Sequence, residues 1–272
     1  MKPAFRRALP IALLVSCLSL PVARASTPQQ DLLALAVSSG TLSQLAAMRV
    51  PEAWVELRAQ RDSAAQHVQA LREAAPAAPS GVEYTHRLQR LQQTWQASSA
   101  AVDRLLAQEQ TVTKAGADAQ RIQDAALQML LRADELAHRL ADSGAEGGLI
   151  YVAARQVGLL ERMQRRVQDV LRGGPTALTS ADGLQRDFAI VSRTQNALVQ
   201  GDADIGITKI EEESAQGLAA ELQRDVQELA APIQRLVQAA RALTDAQEQT
   251  DTLRMELHAL QGTVMEMNAS LR

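Results

Sequence analysis

The sequence predicts an all-α protein built from long helices. Strong helix formers, chiefly Ala, Leu, Gln, Arg and Glu, dominate its 272 residues, and only 2% of the residues are aromatic. The 14 glycines and 9 prolines are few for this length. Stretches with the alternating β-branched residues typical of strands are rare. Together these features favour helices over sheets throughout the chain.

The N-terminus has the layout of an export signal. Basic residues at the start, an apolar run and small residues at Ala23 and Ala25 predict a signal peptide over 1–25, cleaved after Ala25. The apolar run also contains LVSC, which resembles a bacterial lipoprotein box with Cys17 as the lipidated residue. We therefore expect a periplasmic or secreted protein, and the alternatives are a lipoprotein anchored at Cys17 or an uncleaved membrane anchor.

The mature chain is acidic and lacks cysteine. Cleavage after Ala25 would leave 24 basic and 31 acidic residues, a net charge of −7. Such a charge disfavours binding to nucleic-acid phosphates. The single cysteine lies in the removed segment, so we expect no disulfide and no thiol chemistry in the mature protein.

Start and stop signals place the helices along the chain. Thr27-Pro28 begins a first helix that ends near Arg49, and Pro51 kinks or restarts it. Glycine and proline separate the later segments, which are helices over about 82–110, 110–142, 151–172 and 179–200, with loops at 75–81, 142–148 and 173–175. One long helix then follows from about Ile205, with a kink near Pro232.

The last helix carries a sustained seven-residue repeat. Apolar and small side chains step by three and four residues from Val226 to Leu271 without a slip. Such a repeat is typical of a helix in a bundle or a coiled coil. It predicts either a face buried within the chain or a homodimer through the C-terminal helix, and the repeat alone leaves both open.

The two halves of the chain echo one another. Residues 91–106 align without a gap with residues 184–199, with four identical residues and an aromatic side chain at the same place. Shorter echoes occur upstream in the same order. We interpret them as two related helical modules, 26–141 and 142–272, the second of which ends in the long helix.

The first helix of the second module is rich in arginine. At 100° per residue, one face carries the apolar side chains of Val152, Leu159, Met163, Val167 and Val170. Arg155, Arg162 and Arg166 flank that face, whereas Arg165 and Arg172 point away from it. Guanidinium groups at an interface need an acidic partner or an anion, because an unpaired buried charge is costly.

This helix resembles the opening motif of the PilJ-type N-terminal domain, the extracytoplasmic domain of type IV pilus methyl-accepting chemotaxis transducers. Members of that family often begin each module with G-R-Q-R-M-L-S-Q-R. The segment ARQVGLLER (154–162) keeps Arg155, Gln156, Leu159 and Arg162, with Val157 in place of the second arginine. In the first module, AAMRVPEAW (46–54) keeps the central arginine as Arg49.

The end of the second module is also similar to this family. Residues 184–222 look like the family's R-D-x-x-x-x-x-R helix, its short turn rich in glycine and acidic or amide residues, and its I-T-x-I segment. The resemblance covers most of residues 35–245 and implies two tandem helical bundles joined by long helices. Full transducers continue through a second membrane helix into a signalling coiled coil, whereas we expect this chain to be the sensor-type domain alone.

The resemblance also implies a ligand site. In the related nitrate sensors, arginines of this motif bind the anion between helices of a dimer, which points to Arg49, Arg155, Arg162 and Arg166 here. Three roles are open for these arginines: they pair with acids of neighbouring helices, hold a small anion or contact a protein partner. The absence of the second arginine at Val157 weighs against a nitrate site.

Metal and catalytic chemistry find little support in the sequence. Asp202, Asp204 and Glu213 have the spacing of a calcium loop, but Ile207 takes the place of the turn glycine. Acids at a helix start explain them better. The four histidines are dispersed and no nucleophile, phosphate-binding or zinc motif occurs. We therefore expect no metal, no cofactor and no catalytic residues.

The sequence thus predicts an exported, non-enzymatic sensor-type module. We expect it to recognise a small ligand, such as a small anion, or a protein partner in the periplasm or a membrane receptor, in type IV pilus or chemosensory signalling. A homodimer through the C-terminal helix is expected, and nucleic acid is not. The alternative is a structural helical protein of the periplasm that dimerises and binds no small molecule.

Overall fold

The computed structural model describes residues 27–48, 50–74 and 81–269, which form an all-α fold. Seven α-helices and no strand occur among these residues, as the sequence predicts. The helices are α1 (Pro28–Met48), α2 (Pro51–Ala74), α3 (Gly81–Leu106), α4 (Glu109–Asp142), α5 (Gly147–Arg172), α6 (Ala177–Gln200) and α7 (Glu213–Ala269). The predicted signal peptide, with Cys17, and Arg49 lie outside the described residues.

The first two helices begin where the sequence predicts. The Gln30 backbone N–H donates to Thr27 Oγ1 at 3.4 Å, and the Thr27 N–H donates to Gln30 Oε1 at 3.0 Å. This reciprocal pair is a capping box, which satisfies backbone donors that have no partner inside the helix. Pro51 is the first residue of α2, a position that suits proline because no N–H is needed there.

The last helix begins later than the sequence predicts. It starts at Glu213 rather than near Ile205, because the preceding segment closes into a tight turn. Asp202 and Ile207 form an antiparallel bridge in which each N–H donates to the other's carbonyl, at 2.8 and 3.0 Å. A 3₁₀ turn, Ala203–Ile205, fills the loop between them. The helical pattern of the sequence therefore extends further than the helix does.

The start of α7 is capped by an acid, Glu212. Of the three acids predicted to lie at a helix start, only Glu213 does so, because Asp202 and Asp204 lie in the preceding turn. The Glu212 carboxylate accepts the Ser214 hydroxyl and backbone N–H and the Ala215 N–H, at 2.7, 2.9 and 2.6 Å. These hydrogen bonds, those from Ser214 first, hold the pKa of Glu212 below its usual value. An ionised side chain at this position also lies at the positive end of the helix dipole.

α3 and α4 run as a nearly continuous rod against α7, separated only by a turn at Ala107 and Gln108. Polar contacts between the two sides keep one antiparallel register. From one contact to the next, the residue number rises along α3 and α4 by as much as it falls along α7. The contacts are Arg87 with Glu266, Arg104 with Gln249, Asp118 with Arg235, and Arg132 with Glu221. The pairing of these helices therefore does not slip.

A helical hairpin lies at each end of this rod. α1 packs on α2 and on the C-terminal part of α7, where Gly40 faces Gln261. α5 and α6 pack on α4 and on the N-terminal part of α7. Because α7 contacts α1, α3, α4 and α6, it belongs to both groups of helices. The division into modules at 141/142 stays a prediction.

The repeat of α7 forms the core of the molecule. Each of the repeat positions from Val226 to Met267 is buried. The hydroxyl of Thr250, a polar member of the repeat, donates a hydrogen bond to the Ala246 carbonyl at 2.8 Å. Pro232, where the sequence predicts a kink, lies buried within the helix. The repeat is covered by helices of the same chain, so a homodimer through α7 stays a prediction and would use the exposed faces of this helix.

α1 is unusually apolar for a helix on the outside of a bundle. By length and composition alone it is the one helix among the described residues that could cross a membrane, and 39% of its apolar window is buried in the protein. Leu32, Leu35 and Leu42 form its buried face, whereas Leu33 and Val37 are exposed. An apolar helix near the N-terminus is therefore present.

Buried acids are paired across helices. Asp118 of α4 is only 5% exposed and accepts two hydrogen bonds from Arg235 of α7, at 2.9 Å from Nε and 2.6 Å from Nη2. The hydrogen bond from Arg235 lowers the pKa of Asp118 below its usual value despite the opposing effect of burial. Such a two-point pair fixes the rotation of both helices as well as their register.

Truncation of one repeat residue of α7 tests the core. We expect Leu253→Ala to lower the free energy of unfolding by about 2–5 kcal/mol, because Leu253 is fully buried and its loss leaves a cavity. The matched control is Met255→Ala on the same helix, since Met255 is 74% exposed and should change stability little. Urea unfolding followed by circular dichroism measures both, and equal stability of the two variants would contradict the core position of the repeat.

Acid titration tests the Asp118–Arg235 pair. Folding lowers the pKa of Asp118 below the value of about 3.9 typical of an unfolded chain, so the pair stabilises the protein fully above about pH 4. This contribution is lost as the pH falls through the lower folded-state pKa. Asp118→Asn should therefore flatten the loss of stability in acid, whereas Asp245→Asn, at an exposed position of α7, should keep the wild-type slope.

Candidate functional site

The hairpin of α5 and α6 carries three of the four arginines of the predicted site, Arg155, Arg162 and Arg166, and Gly173 fixes its turn. Gly173 has a φ of 72°, and a Cβ there would lie 2.6 Å from the Leu243 carbonyl oxygen of α7. Only glycine allows both this backbone conformation and this close approach. The adjacent Gly174 carbonyl accepts the Thr244 hydroxyl at 3.4 Å. The turn is therefore docked directly on the long helix.

The buried face of α5 is close to the predicted one. Leu159, Met163, Val167 and Val170 are buried and Val152 is half-buried. The two arginines predicted to point away are exposed, and Arg172 forms an ion pair with Asp169 of its own helix at 2.8 Å. The three arginines beside the buried face have different surroundings from one another.

Two of these arginines converge on one buried acid. Asp187 of α6 is 3% exposed and accepts two hydrogen bonds from Arg162, at 2.8 Å from Nε and 2.6 Å from Nη2. Arg166 Nε lies 2.7 Å from Asp187 Oδ2 as an ion pair, without the alignment of a hydrogen bond. The hydrogen bond to Asp187 raises the pKa of Arg162 above its ordinary value. This is the arrangement predicted if the arginines pair with acids of a neighbouring helix.

A glycine on α6 makes room for this cluster. A Cβ on Gly183 would overlap the guanidinium group of Arg166, which lies across the helix at that position. Gly183 and Asp187 are one turn apart on α6, as Arg162 and Arg166 are on α5. Glycine inside a helix normally costs about 1 kcal/mol relative to alanine, so its presence here is explained by the path of Arg166.

Arg155 lies apart from this cluster, in a cleft. The cleft has a volume of about 340 Å³, and α5, α6 and the turn after α6 line it with Val152, Arg155, Leu159, Ile190, Arg193, Thr194, Ile205 and Ile207. Within the described part of the chain, no carboxylate forms an ion pair with Arg155, whereas Arg193 Nε lies 3.1 Å from Asp202 Oδ2. The structure thus separates Arg155 from Arg162 and Arg166. Ligand binding by these residues and by Arg49 stays a prediction.

The acidic turn after α6 has a structural role. Asp202 accepts the Asp204 N–H at 3.0 Å and the Arg193 Nε–H at 3.1 Å, and the bond from Arg193 contributes most to lowering its pKa. Gly206 supplies the left-handed residue of the turn, with a φ of 67°. Among the described residues no cluster of three metal-ligating side chains occurs. Asp202 and Asp204 of the calcium-like spacing thus lie in a hydrogen-bonded turn, whereas Glu213 is the first residue of α7.

Asp187, Gly183 and Arg193 are not among the site residues that the sequence predicts. Asp187 and Arg193 belong to the R-D-x-x-x-x-x-R pattern, whose two ends lie nearly two turns apart on α6. A glycine and an acid lie one turn apart on α6, and two arginines lie one turn apart on α5. This matched spacing in the sequence would have predicted the cluster. Which acid meets which arginine depends on how α5 and α6 pack.

Comparisons with known proteins find two partial matches. The chain is 30% identical over 133 residues to a putative methyl-accepting chemotaxis protein, AlkN, of Alcanivorax borkumensis, over 49% of this chain and 20% of that protein. It is 29% identical over 120 residues to protein PilJ of Pseudomonas aeruginosa, over 44% and 18% of the two chains. No family model matches the chain. About a fifth of each relative's length is matched, so the chain contains a region similar to part of a chemotaxis transducer.

Gly183→Ala tests the path of Arg166. At Gly158, where a Cβ would meet nothing, alanine should stabilise the protein by up to about 1 kcal/mol. At Gly183 the same change should give no such gain, because it displaces Arg166 from Asp187. In an Arg166→Ala background, Gly183→Ala should regain the stabilisation seen at Gly158. Urea unfolding of the four variants measures the coupling, and equal effects of alanine at Gly183 in both backgrounds would show that Arg166 lies elsewhere.

Proposed function

We propose that this protein is an exported, non-enzymatic sensor-type module of the PilJ-type N-terminal domain kind, working in type IV pilus or chemosensory signalling. The similarity to two curated chemotaxis-related proteins carries this proposal. The resemblance of residues 154–162 and 184–222 to motifs of that domain supports it. In this proposal residues 1–25 direct export, with cleavage after Ala25 or lipidation at Cys17.

The arrangement of the helices suits a module that reports binding at one end to the other. α7 packs against both hairpins, so a change in the packing of α5 and α6 alters the contacts of a helix that also supports α1. A ligand or a protein partner shifts such an equilibrium only by binding one arrangement more tightly than the other. The partner in this proposal is a periplasmic protein or a membrane receptor.

The second candidate is a structural helical protein of the periplasm that dimerises and binds no small molecule. The pairing of Arg162 and Arg166 with Asp187 favours it, because two arginines of the predicted anion site already have an acidic partner. In this candidate, the homodimer forms through exposed faces of α7.

Deletion of the gene in its host tests the proposed function. We expect altered surface motility or chemotactic migration, restored by the full chain expressed from a plasmid. A version without residues 1–25 is the matched control and should not restore the response, because it is not exported. Unchanged motility and migration in the deletion strain would contradict a role in this signalling. If sedimentation then shows a stable dimer, the structural candidate is favoured.

A further inference from the structure

The cleft beside Arg155 combines apolar walls with a cation that has no ion-pair partner among the described residues. Val152 and Leu159 of α5, Ile190 of α6, and Ile205 and Ile207 of the turn provide the walls. Ile190 and Ile205 are 43% and 38% exposed, so large apolar side chains face solvent there. Apolar surface held open beside a guanidinium group favours a ligand that has both an apolar part and an anionic part.

The charges in the cleft select a monoanion. Arg193 is paired with Asp202, so its charge is balanced within the protein. Arg155 forms no ion pair with any described residue, and it contributes one net positive charge to the cleft. A planar guanidinium group binds a carboxylate through two parallel hydrogen bonds. The charge therefore matches one carboxylate group better than a polyanion.

The size and the walls argue against a small inorganic anion. A volume of about 340 Å³ has room for roughly ten groups the size of a water molecule, at about 30 Å³ each. An ion such as nitrate would pair with Arg155 and leave the apolar walls exposed to water. A monocarboxylate with an aliphatic chain of about six to eight carbons would cover them.

We infer that the cleft between α5, α6 and the turn at 202–207 binds a small aliphatic monocarboxylate, with the carboxylate on Arg155 and the chain against Ile190, Ile205 and Ile207. The inference rests on the proposed function in one respect, because it names the ligand class of a sensor-type module. The site differs from the Asp187 cluster, whose two arginines are occupied by an acid of the same chain.

Titration calorimetry of the purified protein with octanoate tests the inference. We expect saturable binding of one octanoate per chain. Acetate, which lacks the chain, and octanol, which lacks the charge, should each bind at least about tenfold more weakly, since a charge-assisted hydrogen bond or several buried methylene groups contribute that much. Absence of saturable octanoate binding, or octanol binding as tight as octanoate, would overturn the inference.

Two variants and a matched control locate the site. Arg155→Gln should weaken octanoate binding at least about tenfold, and Ile190→Ser should weaken octanoate binding without changing that of acetate. Arg165→Gln is the control, because Arg165 is exposed on the same helix and is not among the residues that line the cleft. Its affinity should equal that of the wild type. Both Arg155 and Ile190 are exposed, so the variants should fold.

The binding and signalling results can be distinguished. Calorimetry requires no partner and no signalling pathway, so wild-type affinity in Arg155→Gln would overturn the ligand site whatever the deletion strain shows. Normal motility in the deletion strain would contradict the proposed function while leaving octanoate binding as a property of the cleft.

Discussion

The antiparallel pairing of α3 and α4 with α7 is the constraint on which the rest of the structure depends. Most of the stability of a helix in a protein comes from the packing of its apolar face, and α7, with 57 residues, has a continuous apolar face that its neighbours cover. That face is buried from Val226 to Met267. Polar contacts between the two sides hold a single register, and the two hairpins pack on this frame.

Buried acids refine this frame. Asp31, Asp118 and Asp187 are each 3–5% exposed, and each lies beside a basic side chain of another helix: His67, Arg235 and Arg162 with Arg166. A buried carboxylate without such a partner would be costly, so each pair specifies which helices meet and at what rotation. Apolar contacts alone would tolerate several rotations of neighbouring helices.

The three arginines beside the buried face of α5 differ in their partners among the described residues. Arg162 and Arg166 are held by Asp187, and Gly183 leaves the space that Arg166 needs. Arg155 is beyond the reach of that acid and faces a cleft with isoleucine walls. The charge and the apolar walls of this cleft are the basis of the proposed ligand site.

Local patterns in the sequence predict the helices, most of their ends and the buried face of α7. Apolar spacing, capping residues and glycine turns are local signals, and the capping box at Thr27, the start at Pro51 and the repeat of α7 follow from them. The packing of α5 against α6 brings Asp187 to Arg162 and Arg166, gives Arg166 the space beside Gly183, and leaves Arg155 in a cleft. The turn at 202–207 also delays the start of α7 to Glu213, although the helical pattern of the sequence begins near Ile205. These features depend on contacts between residues that are distant in the chain. Helical periodicity predicts the face of a helix on which a side chain lies, but it does not identify the helix that packs against that face.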